Sequence, residues 1–80
     1  MKTASYIFQT KRDGKWTTTH TCTDSTTAYE ELSHELISKK LCNASYIRSI
    51  KREQHYTHID ITVTYANDCG GGRRIYTIEA

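Results

Sequence analysis

The stretch HYTHIDITVTYA, residues 55–66, decides the fold that we predict for this 80-residue chain. Ile59, Ile61, Val63 and Tyr65 alternate in it with polar residues. Side chains of a β-strand point to opposite faces at successive positions, so this alternation predicts a strand with one apolar and one polar face. An antiparallel sheet built from such strands needs a cover on one face only.

Four further stretches carry a strand-like pattern, and they cover residues 4–9, 16–22, 44–53 and 73–80. The first two are separated by KRDGK and predict a hairpin. We prefer a three-residue loop of Arg12, Asp13 and Gly14 to a two-residue turn of Asp13 and Gly14. The longer loop places the apolar side chains of both strands on one face: Ala4, Tyr6, Phe8, Trp16, His20 and Cys22.

The segment TDSTTAYEELSHELISKKLCN, residues 23–43, predicts the single helix. Asp24 or Ser25 is suited to cap its N-terminus. Apolar residues at three- and four-residue steps predict the buried side, formed by Ala28, Tyr29, Leu32, Leu36 and Ile37. The polar side is then formed by Glu30, Glu31, His34, Glu35 and Ser38.

The predicted element order is β-β-α-β-β-β, in one domain that spans residues 1–80. We predict an α+β fold in which a single antiparallel five-stranded sheet, in order 2-1-3-4-5, carries one helix on one face. The third strand is expected to point Ala44, Tyr46 and Ile50 toward the helix, and to connect to the fourth through a tight turn around 51–54. The opposite face is expected to be uncovered and polar, with four larger side chains scattered over it: Ile7, Ile47, Tyr56 and Tyr76.

Composition limits the classes of function. Eleven Lys and Arg residues against nine Asp and Glu residues give a net charge of +2, which is less than a dedicated nucleic-acid binder carries. Three cysteines without a CxxC spacing do not form the even framework of a small secreted protein: Cys22, Cys42 and Cys69. The start MKTASYIFQT lacks the apolar run of a signal peptide, and no apolar run approaches the roughly 20 residues of a membrane span. We therefore expect a cytoplasmic protein with reduced thiols.

The glycine-rich stretch NDCGGGRR, residues 67–74, raises the question of phosphate binding. A phosphate loop lies between a strand and a helix, whose N-terminal N–H groups face the anion. Here the glycines lie between two predicted strands, so the stretch indicates a hairpin tip. One alternative stays open, namely a mobile tip whose arginines, Arg73 and Arg74, hold a partner's phosphates or carboxylates.

Neither a metal site nor an active site is indicated. His20 and Cys22 fall on the predicted core face, where a histidine and a small thiol serve as packing residues. His55 and His58 are three apart in or near a strand, so we expect them to point to opposite faces. A domain with one helix and five strands offers little room for a catalytic cleft. We expect no enzyme activity, no metal and no cofactor.

Basic and aromatic side chains near the ends of the last three strands are the candidate contact residues. Arginine and tyrosine often carry binding energy at interfaces, and basic side chains mixed with aromatic ones also suit single-stranded nucleic acid. An ordinary solvated strand edge would show the same composition. The partner-binding residues that we predict are Arg48, Lys51, Arg52, Tyr56, Arg73, Arg74 and Tyr76.

The start MKTASYIF, the capped helix segment DSTTAYEEL and the short final strands resemble the plan of small phage proteins that block host defence, of the anti-CRISPR type. The resemblance covers the whole chain at the level of architecture, without a residue motif. It implies a stoichiometric inhibitor that occupies a groove on a host complex.

The expected function is therefore non-catalytic binding to a host protein or ribonucleoprotein complex, as an anti-CRISPR-like inhibitor of phage or mobile-element origin. Basic residues on the sheet and acidic residues on the helix would give the molecule two unlike sides, which favours docking on a protein. The alternative is a small nucleic-acid-binding protein that uses the same basic surface. We expect a monomer or a weak dimer with no membrane partner.

Overall fold

The computed structural model describes residues 3–41, 45–67 and 70–79. The elements are β1 (Ala4–Arg12), β2 (Lys15–Cys22), α1 (Ser25–Leu41), β3 (Ile47–Gln54), β4 (His58–Tyr65) and β5 (Arg73–Glu79). All four strand pairings are antiparallel, and they join the five strands into one sheet with α1 on one face. The predicted α+β class, with a single antiparallel five-stranded sheet and one helix, is confirmed.

The strand order is β2-β1-β5-β4-β3, so the predicted order 2-1-3-4-5 is wrong in its third and fifth places, where β5 and β3 are exchanged. The final strand, β5, occupies the centre, and β3 lies at the edge. β5 carries apolar side chains on both faces of the sheet, with Tyr76 and Ile78 on one face and Ile75 on the other. Such a sequence is suited to the central strand of a sheet. β3 has the charged sequence IRSIKREQ, and charged side chains protect an exposed edge from pairing with another chain. Both orders are fully antiparallel, so strand direction could not distinguish them.

The turn between β1 and β2 has two residues, not the predicted three. Asp13 and Gly14 have φ angles of 52° and 77°, and Arg12 lies opposite Lys15. Two successive positive φ values are the mark of a type I′ turn, whose twist matches that of the flanking strands. The Asp-Gly pair suits it because both residue types tolerate the left-handed region.

A bulge in β2 restores the apolar register that the shorter turn would have lost. Phe8 lies opposite His20 and Gln9 lies opposite Thr18, so Thr19 is an extra residue. Cys22 and His20 therefore share the helix side with Tyr6 and Phe8, as predicted. Trp16, on the far side of the bulge, points to the opposite face, and its predicted place in the core is wrong.

The helix begins after Asp24, which caps it as predicted. Asp24 Oδ1 accepts a hydrogen bond from the backbone N–H of Thr26 at 3.1 Å, and Oδ2 accepts one from Thr27 Oγ1 at 2.9 Å. Such bonds satisfy groups that the first helical turn leaves free. The helix therefore begins at the position that the sequence predicts.

The buried side of the helix matches the prediction at Ala28 and Leu32 but differs from it after Leu32. Ala28, Leu32 and Glu35 are buried, with Glu35 only 4% exposed. Leu36 and Ile37, which were predicted to be buried, are 40% and 54% exposed. The helix is therefore rotated so that a glutamate replaces two apolar residues at the sheet.

The core lies between α1 and the sheet. Ile47 and Tyr76, predicted on the uncovered face, are 2% and 1% exposed in this core, so that prediction is wrong for both. Ile50 and Tyr46 pack against it as predicted, whereas Ala44 lies outside the described residues. The buried apolar residues of this core are Ala4, Tyr6, Ala28, Leu32, Ile47, Ile61, Val63 and Tyr76.

The turn between β3 and β4 falls later in the chain than predicted. β3 runs to Gln54, and the backbone N–H of His55 donates to the carbonyl of His58 at 2.9 Å. Tyr56 and Thr57 form the tip between them, and Tyr56 is fully exposed there. The expected turn at 51–54 and the expected place of Tyr56 within a strand are therefore wrong.

We call the side of the sheet away from α1 the open face, because none of the described elements packs on it. Register places two apolar residues, Ile7 and Ile75, opposite each other at its centre. Around them lie mainly hydroxyl and charged side chains of four strands: Ser5, Gln9, Lys51, Asp60, Thr62, Thr64, Arg73 and Thr77. The one described helix is neither long nor apolar enough to cross a membrane.

Candidate functional site

The structure separates the seven predicted contact residues into three groups. Lys51 and Arg73 lie on the open face, and Arg48 is exposed at an irregularity of β3 beside it. Arg52 and Tyr56 are exposed on the β3–β4 hairpin. The remaining two, Arg74 and Tyr76, point to the helix side. No single surface therefore carries all seven.

Arg74 lies at the centre of a polar network between the sheet and the helix. Its Nη1 is 3.0 Å from Glu35 Oε1 and 3.2 Å from Glu31 Oε2. The same nitrogen donates to the hydroxyl of Tyr76 at 3.2 Å, and the Tyr65 hydroxyl donates to Glu35 Oε1. The expected division of the molecule into a basic sheet and an acidic helix is thus wrong at Arg74, because this arginine neutralises helix carboxylates.

The tyrosines of this network stay protonated. Burial raises the pKa of the Tyr65 hydroxyl far above its usual range, and the hydrogen bond to Glu35 and the charge of that carboxylate raise it further. Burial also raises the pKa of Tyr76, although the hydrogen bond from Arg74 acts in the opposite direction. Both hydroxyls are therefore neutral near pH 7, and the network connects β4 and β5 to the helix through Glu35 and Arg74.

One end of the open face is basic and aromatic, and we call it the basic end: Lys11, Trp16, Arg48 and Arg73. The guanidinium carbon of Arg73 lies 4.0 Å from the centre of the Trp16 ring, and Lys11 Nζ lies 5.8 Å from it. Arg73 Nε also donates to Gln9 Oε1 at 2.8 Å, which fixes the guanidinium over the indole. Trp16 remains 36% exposed, so an aromatic surface is available to a partner.

A shallow cavity of about 390 Å³ lies at the basic end, between Trp16, Arg48 and the glycine-rich stretch. Gly72 has a φ of +90°, and a Cβ atom there would lie 3.0 Å from the Gln9 carbonyl oxygen. Gly72 thus lies against β1 because it has no side chain. Its glycines join two strands and precede no helix, as predicted, so the geometry of a phosphate loop is not formed.

The other end of the open face carries the histidine cluster, defined as His55, His58 and Asp60. His55 Nε2 lies 3.2 Å from Asp60 Oδ2, and His58 Nε2 lies 3.5 Å from the same oxygen. The two rings stack with their centres 4.5 Å apart. The prediction that His55 and His58 point to opposite faces is wrong, because the turn at Tyr56 and Thr57 makes them neighbours across a hairpin.

The histidine cluster was missed because the turn position was misjudged. In a continuous strand a spacing of three separates two side chains, but in a hairpin with a two-residue tip it brings them together on one face. Asp60 follows His58 by two positions and therefore shares its face. A two-residue turn at positions 56 and 57 would have predicted that His55, His58 and Asp60 lie together.

The thiols give no second cluster within the described residues. Cys22 is a free cysteine that packs against the core, as predicted, and its sulfur lies 3.8 Å from the Asp24 carbonyl oxygen. Cys42 and Cys69 lie outside the described residues.

Comparison of the chain with protein-family models, with curated proteins and with solved structures found no match.

Proposed function

We propose that this protein is a non-catalytic binding protein that docks through the basic end of its open face on an acidic surface of a protein or ribonucleoprotein complex. The observation that carries the proposal is the Trp16 indole, 36% exposed and 4.0 Å from the guanidinium carbon of Arg73. Tryptophan and arginine are the residue types most enriched among those that dominate interface energies. The hydrogen bond from Arg73 to Gln9 lowers the entropy lost when a partner binds.

The charge distribution of the open face favours a folded protein over a bare polyanion. The basic end is followed by Ile7 and Ile75 at the centre and by Asp60 toward the histidine cluster. Glu53 lies directly opposite Asp60. These two carboxylates would repel the phosphates of a nucleic acid that extends along the face. A partner with its own acidic, apolar and basic regions complements this pattern better.

This proposal revises the set of contact residues. Arg48, Lys51 and Arg73 remain in it because they lie on or beside the open face, while Lys11 and Trp16 are added because they line the cavity together with Arg48. Arg74 and Tyr76 are left out, because the first is paired with Glu35 and the second is 1% exposed. Arg52 and Tyr56 belong to the far hairpin and are not needed for docking at the basic end.

The biological role within this proposal is that of a phage or mobile-element inhibitor of a host complex, similar in plan to anti-CRISPR proteins. Such an inhibitor works by occupancy, so it needs a rigid surface and no catalytic group. In this role the protein acts in the cytoplasm as a monomer or weak dimer, and it needs no cofactor.

A second candidate function is direct binding of a short single-stranded nucleic acid at the basic end. Trp16 is the observation that favours it, because a base can stack on an exposed indole while Lys11 and Arg48 contact phosphates. Binding of this kind weakens steeply as salt rises, because released counterions drive it.

The two functions are separated by capture from a lysate of the source host, with and without nuclease, using Arg73→Glu as the test variant. Lys40→Glu is the matched control, because Lys40 is an exposed residue of the helix. We expect a partner whose capture survives nuclease, is reduced about tenfold or more by Arg73→Glu, and is unchanged by Lys40→Glu.

Titration of a labelled single-stranded oligonucleotide completes the comparison. Tight, salt-sensitive binding that requires Trp16 would establish the second function in place of the first. Capture that is equally strong in the Arg73→Glu variant would show that docking does not use the basic end. Circular dichroism of each variant establishes that the fold is kept.

A further inference from the structure

We propose that His55, His58 and Asp60 form a binding site for a divalent transition-metal ion, Zn²⁺ in the first instance. Each residue offers one ligand atom, and the three atoms lie within 4.8 Å of one another. Two imidazoles and one carboxylate form a donor set that zinc sites use, with a fourth position left to water or another carboxylate. The site is independent of the basic end, because it lies about 20 Å away along β5, six residues at about 3.3 Å each.

The observed spacing fits tetrahedral coordination. An ion with bonds of about 2.0–2.1 Å in a tetrahedral site holds its ligand atoms roughly 3.3 Å apart. Asp60 Oδ2 lies 3.2 Å from His55 Nε2 and 3.5 Å from His58 Nε2. Two distances therefore already match edges of a coordination tetrahedron, and the stacked rings of His55 and His58 must rotate so that both nitrogen lone pairs point to the ion.

The hydrogen bonds within the histidine cluster do not account for the position of the His55 ring. His55 Nε2 is buried and lacks a hydrogen-bond partner among the described residues, although Asp60 Oδ2 is close. A hydrogen bond needs the N–H to point along the line between the two atoms. An ion shared by nitrogen and oxygen lies off that line, so the poor alignment fits a common ligand position.

Two threonines orient the proposed ligands from outside. Thr77 Oγ1 donates to Asp60 Oδ1 at 3.1 Å, which leaves Oδ2 for the ion. Thr57 Oγ1 lies 3.1 Å from His58 Nδ1 and can accept the Nδ1–H of the tautomer whose Nε2 binds metal. Partners of this kind fix ligand orientation at metal sites.

The site has an access route and a fourth donor nearby. The His58 side chain is 33% exposed, and a shallow cavity of about 370 Å³ opens beside it between Thr57, Thr77 and Glu79. Glu53 Oε1 lies 3.8 Å from His55 Nε2 on the neighbouring strand, so it can supply the fourth ligand in place of water. Imidazole donors favour Zn²⁺, Ni²⁺ and Cu²⁺ over Mg²⁺ and Ca²⁺.

The test is calorimetric titration of the untagged protein with ZnCl₂, in a background where all three cysteines are serine so that thiols cannot bind. We expect one ion per chain. His55→Ala and His58→Ala should each weaken binding by about 100-fold, and Thr77→Val by about tenfold, because outer partners at metal sites contribute on that order. His34→Ala is the matched control, because this exposed histidine lies on the helix.

A thermal melt with and without zinc gives a second readout. An ion that binds only the folded hairpin raises the melting temperature of the parent and of His34→Ala, but not of His55→Ala or His58→Ala. Zinc binding that is unchanged in both cluster variants, or no binding by the parent, would refute the site. Equal affinity for Ca²⁺ and Zn²⁺ would show that the imidazole nitrogens do not bind the ion.

Discussion

Gly72 shows how a single residue joins the glycine-rich stretch to the sheet. Its carbonyl accepts a hydrogen bond from the Tyr65 N–H at 3.0 Å, and its φ of +90° lies where side chains are disfavoured. A Cβ atom would also lie 3.0 Å from the Phe8 ring. Gly70, with a φ of +96°, has nothing within 4 Å of its Cβ position.

These two glycines give a matched pair of alanine substitutions. Gly70→Ala should lower the free energy of unfolding by about 1–2 kcal/mol, the cost of the left-handed conformation. Gly72→Ala should cost about 1–3 kcal/mol more, because the methyl group must displace β1. Urea denaturation of both variants measures the difference, and equal losses would mean that the loop does not lie against β1.

The sequence indicates that this stretch is a turn but not which glycine is constrained. Composition alone predicts a glycine-rich connection between two strands. The constraint on Gly72 comes from Gln9 and Phe8, which are more than sixty positions earlier in the chain. Contacts of that range depend on the strand order, so they could not be read from the local pattern.

Among the elements, the helix illustrates how one buried ion pair can override apolar periodicity. The pattern of Leu36 and Ile37 predicted one orientation, but Arg74 points from β5 toward the helix and needs a carboxylate. Rotation of the helix brings Glu35 to Arg74 and leaves both apolar residues partly exposed. A charge inside a protein is costly unless it is paired, so this requirement outweighs the burial of two side chains.

We therefore expect Arg74→Leu to lower the free energy of unfolding by about 2–4 kcal/mol, because it leaves the Glu35 carboxylate buried without its partner. Adding Glu35→Leu should recover part of this loss, with a coupling of about 1–3 kcal/mol in a double-mutant cycle. Arg52→Leu is the control, since Arg52 is exposed at the sheet edge. Additive losses measured in urea would contradict a direct pairing between helix and sheet.

Element types were predictable because alternation and helical spacing are local properties. All five strands and the helix follow from them, and so does the Asp24 cap. The registers of the strands and the buried sides of the elements were less predictable, since they depend on which elements pack together. The two-residue turn at Asp13 and Gly14 placed Trp16 opposite Lys11 on the open face, and the late turn of β3 created the histidine cluster.

For the whole molecule, the position of β5 determines how the sheet is held together. β1 and β2 form one hairpin, β3 and β4 form another, and β5 pairs with β1 on one side and β4 on the other. β2 and β3 are therefore the edges of the sheet. Local patterns predicted both hairpins, but they carried no information on which strand lies between them.

Hydrogen exchange should reflect this arrangement. We expect amides of β5 to exchange slowest, because it is the central strand and both of its neighbours are themselves paired on both sides. Amides of β2 should exchange fastest among the strands, because it is an edge strand and seven of its eight residues are exposed. Exchange followed by NMR measures this order. Protection of β2 equal to that of β5 would instead indicate that a second copy pairs with this edge.

The central place of β5 also bears on synthesis at the ribosome. The two hairpins can form as they emerge, but each exposes its apolar side and an unpaired edge until residues 73–79 have left the exit tunnel. Ala4 then meets Ile78, and the sheet closes in one late step. Until β5 arrives, each hairpin therefore lacks the strand that pairs with its inner edge, and the pairing of β1 with β5 must close a loop of about sixty residues.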